Sequence, residues 1–339
     1  MQLLVALLAI FIIGQPGLVM AEESGGGVID GQLVLQTEND GSLAEFDVTL
    51  IFFTDEKVKE TRTTKTDAQG EFEFTGLVTD NEYMVSVRYG GIDYYYPVVF
   101  GDGETRAPIK ISVCDTTTSD ERIRVMLAHV IIYVAEESIS VTEVFLLAND
   151  GDRTYVGEGR VIDGGKQGLL VFTLPERAFD FDAPPELIGD YVFLDNNKVA
   201  DTSPFPPGER QLVYSYKLIK EVSSDFILNL VIDYPTDSIE VMVKGTDIEV
   251  ASTRLRPEEP VDSDTGERFI HLSGENLLRG DTVDISLSSL SRGSGVISPI
   301  VWFIAVAVIL GASIYVVRRK IRTGISAGAG SKDDAETQE

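Results

Sequence analysis

The chain has 339 residues, 28 basic and 55 acidic, giving a net charge of −27 at neutral pH, and 43% of it is hydrophobic. That apolar content suffices for a sizeable core and excludes a globally disordered chain, while the acidity argues against a nucleic-acid binder, because such a surface repels phosphate backbones. The single cysteine, Cys114, excludes an intrachain disulfide, so packing must stabilise the fold.

Leu3–Ile13 is an unbroken apolar run, too short to span a bilayer comfortably and of the length of a signal-peptide hydrophobic region. Gly14 and Pro16 end it, and Val19 and Ala21 stand three before and one before a cut. Residues 1–21 are therefore predicted to be a signal peptide cleaved after Ala21, an uncleaved anchor being the alternative. Residues 22–27 form a polar, glycine-rich leader.

From Val28 the apolar pattern has period two. Val28, Leu33 and Leu35 open the first strand region, then Phe46, Val48, Leu50 and Phe52, then Phe72 and Phe74, then Tyr83, Val85, Val87 and Tyr89. Turn residues separate them at Asn39-Asp40-Gly41, Asp67-Ala68-Gln69-Gly70, Asp80-Asn81 and Gly90-Gly91. Short alternating strands at this spacing predict a β-sandwich of about seven strands over residues 28–114. Cys114 ends the run Ile109–Cys114 and reads as a partly buried, inert thiol.

The stretch also resembles a known module. Gly31-Gln32-Leu33, Phe46–Leu50, Thr64–Phe74 and Tyr83–Val87 are similar in order to the carboxypeptidase regulatory-like domain, a small transthyretin-like β-sandwich. The resemblance covers roughly a quarter of the chain. It implies that Thr66-Asp67-x-x-Gly70-x-Phe72 is a turn entering a strand whose Phe fills the core. It further implies a structural or binding accessory, with no catalytic residues to carry over.

Tyr89, Tyr94, Tyr95 and Tyr96 cluster across Gly90-Gly91. Exposed tyrosines on a sandwich can stack on sugar rings or anchor a protein partner, which makes Tyr89, Tyr94 and Tyr96 candidate ligand-binding residues. Burial as ordinary strand formers is the competing account.

Residues 115–121 read as a charged linker. Residues 122–290 are again strand-patterned and predict a second, larger β-sandwich, with a split near Lys220 as the alternative. Asn149, Asp150 and Asp152 offer turn oxygens that calcium would suit, as do Asp195-Asn196-Asn197. No full EF-hand loop is present, and Asn, Asp and Gly are ordinary turn residues. No other cofactor is implied. The two histidines, His129 and His271, lie in separate apolar strands without ligand-spaced partners and read as structural. The order Asn149–Gly157, Phe172–Pro175 and Pro206–Gly208 looks like uncharacterised envelope proteins of prokaryotes and implies no activity.

Val296–Val317 carries no charged residue. As a helix it would extend about 33 Å, which matches a hydrocarbon core of about 30 Å. Trp302 and Tyr315 stand near its ends, and Arg318, Arg319, Lys320 and Arg322 follow at once, placing the C-terminus in the cytoplasm. Residues 318–339 form that basic stop and a disordered tail.

The expectation is an all-β exterior, a small transthyretin-like sandwich followed by a larger one, on one C-terminal transmembrane α-helix. It is a non-catalytic binding or structural protein of the cell envelope, single-pass, with its N-terminus outside. Its partners are the lipid bilayer and a protein or polysaccharide outside the cell, not nucleic acid. The alternatives are a carbohydrate- or polymer-binding module using the tyrosines, and a subunit of an envelope complex assisting an enzyme.

Overall fold

The computed structural model describes residues 25–288 apart from 40, 55–56, 136–137, 158–167, 184–190, 195–196, 220–224, 245–247 and 264–265. The expected signal peptide, transmembrane helix and tail lie outside these residues, and with them Trp302, Tyr315, Arg318, Arg319, Lys320 and Arg322. Among the described residues the chain is all-β, and no helix is long and apolar enough to cross a membrane.

The first module comprises β1 (Gly27–Leu35), β2 (Asp47–Thr54), β3 (Lys57–Lys65), β4 (Glu71–Leu77), β5 (Tyr83–Tyr89), β6 (Ile92–Val98) and β7 (Arg106–Val113). They form two sheets, β4-β1-β7 and β3-β2-β5-β6. Alternation decides which side chains meet between them. Phe72 and Phe74 of β4 are buried while Glu71 and Glu73 are exposed, and β7 buries Ala107, Ile109, Ile111 and Val113 in the same way. These side chains share one core with Ile29, Leu33, Val48, Leu50, Val85 and Val87. Pro108, which cannot donate to a ladder, stands on β7 at the edge of its sheet.

Two glycines fix this packing. Gly31 pairs with Phe72 across β1 and β4, and a Cβ on it would lie 1.9 Å from the Phe72 Cζ. The bare backbone is what lets the ring lie across the strand. Gly70 has φ of +76°, which closes the turn into β4. In that turn the Asp67 carboxylate accepts from the Gln69 N–H at 2.9 Å and the Glu71 N–H at 2.8 Å.

The second module starts with β8 (Thr116–Thr117), β9 (Ile123–Val134), β10 (Ser138–Asn149) and β11 (Thr154–Tyr155). There follow β12 (Leu170–Thr173), β13 (Phe179–Asp182), β14 (Tyr191–Leu194), β15 (Lys198–Asp201) and β16 (Gly208–Ile219). The last are β17 (Phe226–Val231), β18 (Thr236–Lys244), β19 (Glu249–Ala251), β20 (Arg256–Pro257), β21 (Val261–Asp262), β22 (Arg268–Leu277) and β23 (Thr282–Ser288). A large sheet runs β13-β16-β10-β9-β18-β22-β20, with β21 also on β22. One face of it shares a core with the sheets β12-β15-β14 and β17-β23-β19, through Val130, Val141, Leu147, Leu170, Val199, Leu212, Leu228, Val241 and Ile285. At about 1.5–3 kcal/mol for each fully buried large apolar side chain, this core is the main source of stability.

Candidate functional site

The stretch read as a linker carries β8, which pairs in parallel with β11 inside the second module. Asp115, just before it, gathers side chains from both. Its Oδ1 accepts from the Tyr89 hydroxyl at 2.9 Å. Its Oδ2 accepts from the Asn39 amide at 2.6 Å and from the Arg153 guanidinium at 3.3 Å. The Thr37 hydroxyl donates to the Asp152 carbonyl at 2.8 Å and accepts from the Asp115 N–H at 2.9 Å. Tyr94 is held at 2.9 Å from the Thr154 hydroxyl, and its oxygen accepts from the Cys114 N–H at 3.2 Å.

Two of the three candidate tyrosines are therefore placed inside the protein's own junction. Burial, and the hydrogen bond to the Asp115 carboxylate after it, push the Tyr89 hydroxyl up to about 12. Cys114 is buried with its thiol donating to the Gln36 side-chain oxygen at 3.3 Å, and burial raises its pKa. Tyr96 stands apart from this group. It is 38% exposed on β6, an edge strand, beside Tyr95 at 50% and near Val99 at 65%.

The candidate calcium ligands occupy the turn that leaves β10. The Asn149 carboxamide oxygen accepts from the Gly151 N–H at 3.0 Å, and its nitrogen donates to the carbonyls of Arg153 and Phe205, both at 2.9 Å. Asp150 accepts from Arg124 at 2.6 Å, and Arg124 also binds Asp237. The Asp152 carboxylate lies 3.9 Å from the Arg153 Nε. These groups tie down the turn and the junction beside it. Among the described residues, no group of three or more His, Cys, Asp or Glu side chains is arranged to hold a metal ion. Of Asp195-Asn196-Asn197, only Asn197 lies within the described residues.

His271 on β22 meets Glu240 on β18, Nε2 to Oε2, at 2.5 Å. On β9, His129 is the register partner of Glu240, and both its ring nitrogens are buried without a hydrogen-bond partner. Burial, helped by the nearby His271, lowers its pKa to about 4, so it is neutral at physiological pH.

Two buried acids, Asp201 and Glu143, and the half-buried Asp233 escape a reading of motifs. Asp201 is fully buried and paired with Arg210 at 3.1 Å, while the Ser203 N–H donates to its other oxygen at 2.8 Å. Its pKa is raised because burial outweighs the pull of Arg210. Asp233 accepts from the Thr173 N–H at 2.6 Å and the Thr173 hydroxyl at 2.8 Å. Glu143 faces the core of the second module, bound by the Tyr216 hydroxyl at 2.7 Å and the Tyr214 hydroxyl at 3.4 Å. The signal for Glu143 was parity: it shares the inward phase of Ile139, Val141, Phe145 and Leu147 on β10.

No protein-family model matches the chain, and no curated protein matches it. Among solved structures, a two-domain M1 zinc metallopeptidase bound to L-tryptophan aligns at 10% identity over 51% of this chain and 44% of its own, with a TM-score of 0.29. This chain thus spans less than half the length of that peptidase. The full-length major pilin SpaD from Corynebacterium diphtheriae aligns at 10% identity over 78% and 82%, with a TM-score of 0.22. A yeast delta-COP-I mu-homology domain complexed with a peptide aligns at 12% identity over 51% and 77%, with a TM-score of 0.17. At these TM-scores none of the three bears on what this chain does.

Proposed function

We propose that the chain is a membrane-anchored, extracytoplasmic binding or structural protein of the cell envelope, without catalytic activity. In this reading a small transthyretin-like sandwich and a larger sandwich form one presenting unit on a C-terminal transmembrane helix. The junction at Asp115 carries the reading: the modules are joined by side chains of both that converge on one carboxylate, as suits a part that must hold its position. The charge-free run Val296–Val317 and the basic cluster after it supply the anchor. Protease treatment of intact cells lacking an outer barrier tests both halves. Wild type should release one fragment containing both modules, and Asp115→Ala, which strands three donors, should be cut between them. Recovery of the full chain in a carbonate wash, or an identical digest of the variant, would sink the proposal.

A second reading, binding of a carbohydrate or polymer, rests on the exposure of Tyr95 and Tyr96. Tyr96→Ala should then lower retention on an immobilised polysaccharide panel by about tenfold or more, the loss of about 1.4 kcal/mol or more that truncating an aromatic anchor brings. Unchanged retention, or none in wild type, removes this reading.

A further inference from the structure

Glu143 is a carboxyl group sealed inside an apolar core, only 6% exposed. Its neighbours come from every element packed against it. On β16, Tyr214 is its register partner, and both Tyr214 and Tyr216 aim their hydroxyls at it. On the inward face of β9 lie Ala128, Val130 and Ile132, none of them titratable. The segment after β17 brings Asp233 and Tyr234, β18 brings Thr236, and β12 brings Phe172 and Thr173. Phe181 of β13 packs on Tyr214 with ring centroids 5.6 Å apart.

Among the described residues no ion pair joins Glu143 to a base; Lys198 and Arg279 act instead on Asp233. The nearest charge that acts on Glu143 is Asp233 itself, of the same sign. Both acids line a cavity of about 30 Å³ walled by Phe145, Phe172, Tyr214 and Tyr234. That is room for one or two waters. A carboxylate in this place has two hydroxyl donors, a like charge across the cavity and rings elsewhere.

We propose that Glu143 is a proton-binding site built into the second module, which holds the core closed when protonated and loosens it by admitting water when the proton leaves. Protonation replaces a buried charge with one further hydrogen-bond donor, which the hydroxyl oxygens or a water in the cavity can accept. Loss of the proton leaves a charge beside Asp233 that the two tyrosine hydroxyls offset only in part, so that hydration must supply the rest. Burial first, then Asp233, raise the Glu143 pKa from the ordinary 4.5 to about 7, against the opposing pull of the two tyrosines. A carboxyl raised in the folded state contributes stability that is fully present below the unfolded value and is lost as pH rises through the folded one. The sensitive window is therefore from pH 4.5 to about 7.

The full chain in detergent micelles tests this. In wild type the thermal midpoint of the second module should fall from about pH 5 to about pH 8, reflecting a loss of up to roughly a hundredfold in its folding equilibrium constant. In Glu143→Gln the Glu143 share of that fall should vanish. Infrared difference spectra, wild type minus Glu143→Gln, should carry a neutral carboxylic-acid carbonyl band at pH 6 that disappears by pH 9. Should Glu143→Gln not fold, Tyr216→Phe keeps the ring and removes the stronger donor to the carboxylate, so the band should persist to higher pH than in wild type. Parallel pH profiles of wild type and Glu143→Gln, absence of the band at pH 6, or a Tyr216→Phe band that titrates as in wild type would overturn the proposal.

Discussion

Phe172→Ala is expected to cost the second module about 3–5 kcal/mol, enough to leave a marginally stable domain largely unfolded. Phe172 is 3% exposed and sits where several rings converge. It stacks on Phe145 with centroids 5.0 Å apart and meets Tyr214 at 5.8 Å and Tyr234 at 5.6 Å. Truncation removes the transfer energy of one large ring and about 0.5–1.5 kcal/mol for each aromatic pair. It also widens the cavity beside Glu143, and no neighbouring strand can collapse into that space without breaking its ladder. Denaturant unfolding followed by near-ultraviolet circular dichroism reads the effect. A midpoint within error of wild type would mean that the rings do not form the cluster described.

Gly31→Val should be comparably damaging in the first module, at about 3 kcal/mol or more, because overpacking here adds to the loss of a buried ring. The new Cβ would lie 1.9 Å from Phe72 Cζ, so the ring must leave a core in which it is 6% exposed. A double-mutant cycle isolates the cause. If the clash with Phe72 is responsible, Gly31→Ala should cost much less in a Phe72→Leu background than in wild type, because the shorter side chain no longer crosses β1. Additive costs would place the damage elsewhere on β1.

The strands of both modules were legible because each buries one face, and burying one face imposes period two on the sequence. The turn into β4 was legible on other grounds, since Asp67 and Gly70 announce it by their chemistry. The role of the tyrosines was not legible. Asn39 and Asp115 are 76 positions apart, and Arg153 a further 38, and nothing in a linear pattern says that they converge on Tyr89. An aromatic cluster beside a Gly-Gly turn looks the same whether it faces a ligand or a neighbouring module. Glu143 shows the converse case: alternation alone places it inward, but an isolated acid in a strand is usually assigned to the solvent face.

The β1 and β7 ladder is parallel, running from Val28↔Arg106 to Leu35↔Val113. The chain therefore enters the first module at one end of this ladder and leaves at the other. Tension drawn between those two points acts along the strands, so the bonds between β1 and β7 are loaded together in shear instead of being unzipped one by one. The first module is thus strung in the geometry that resists stretching best.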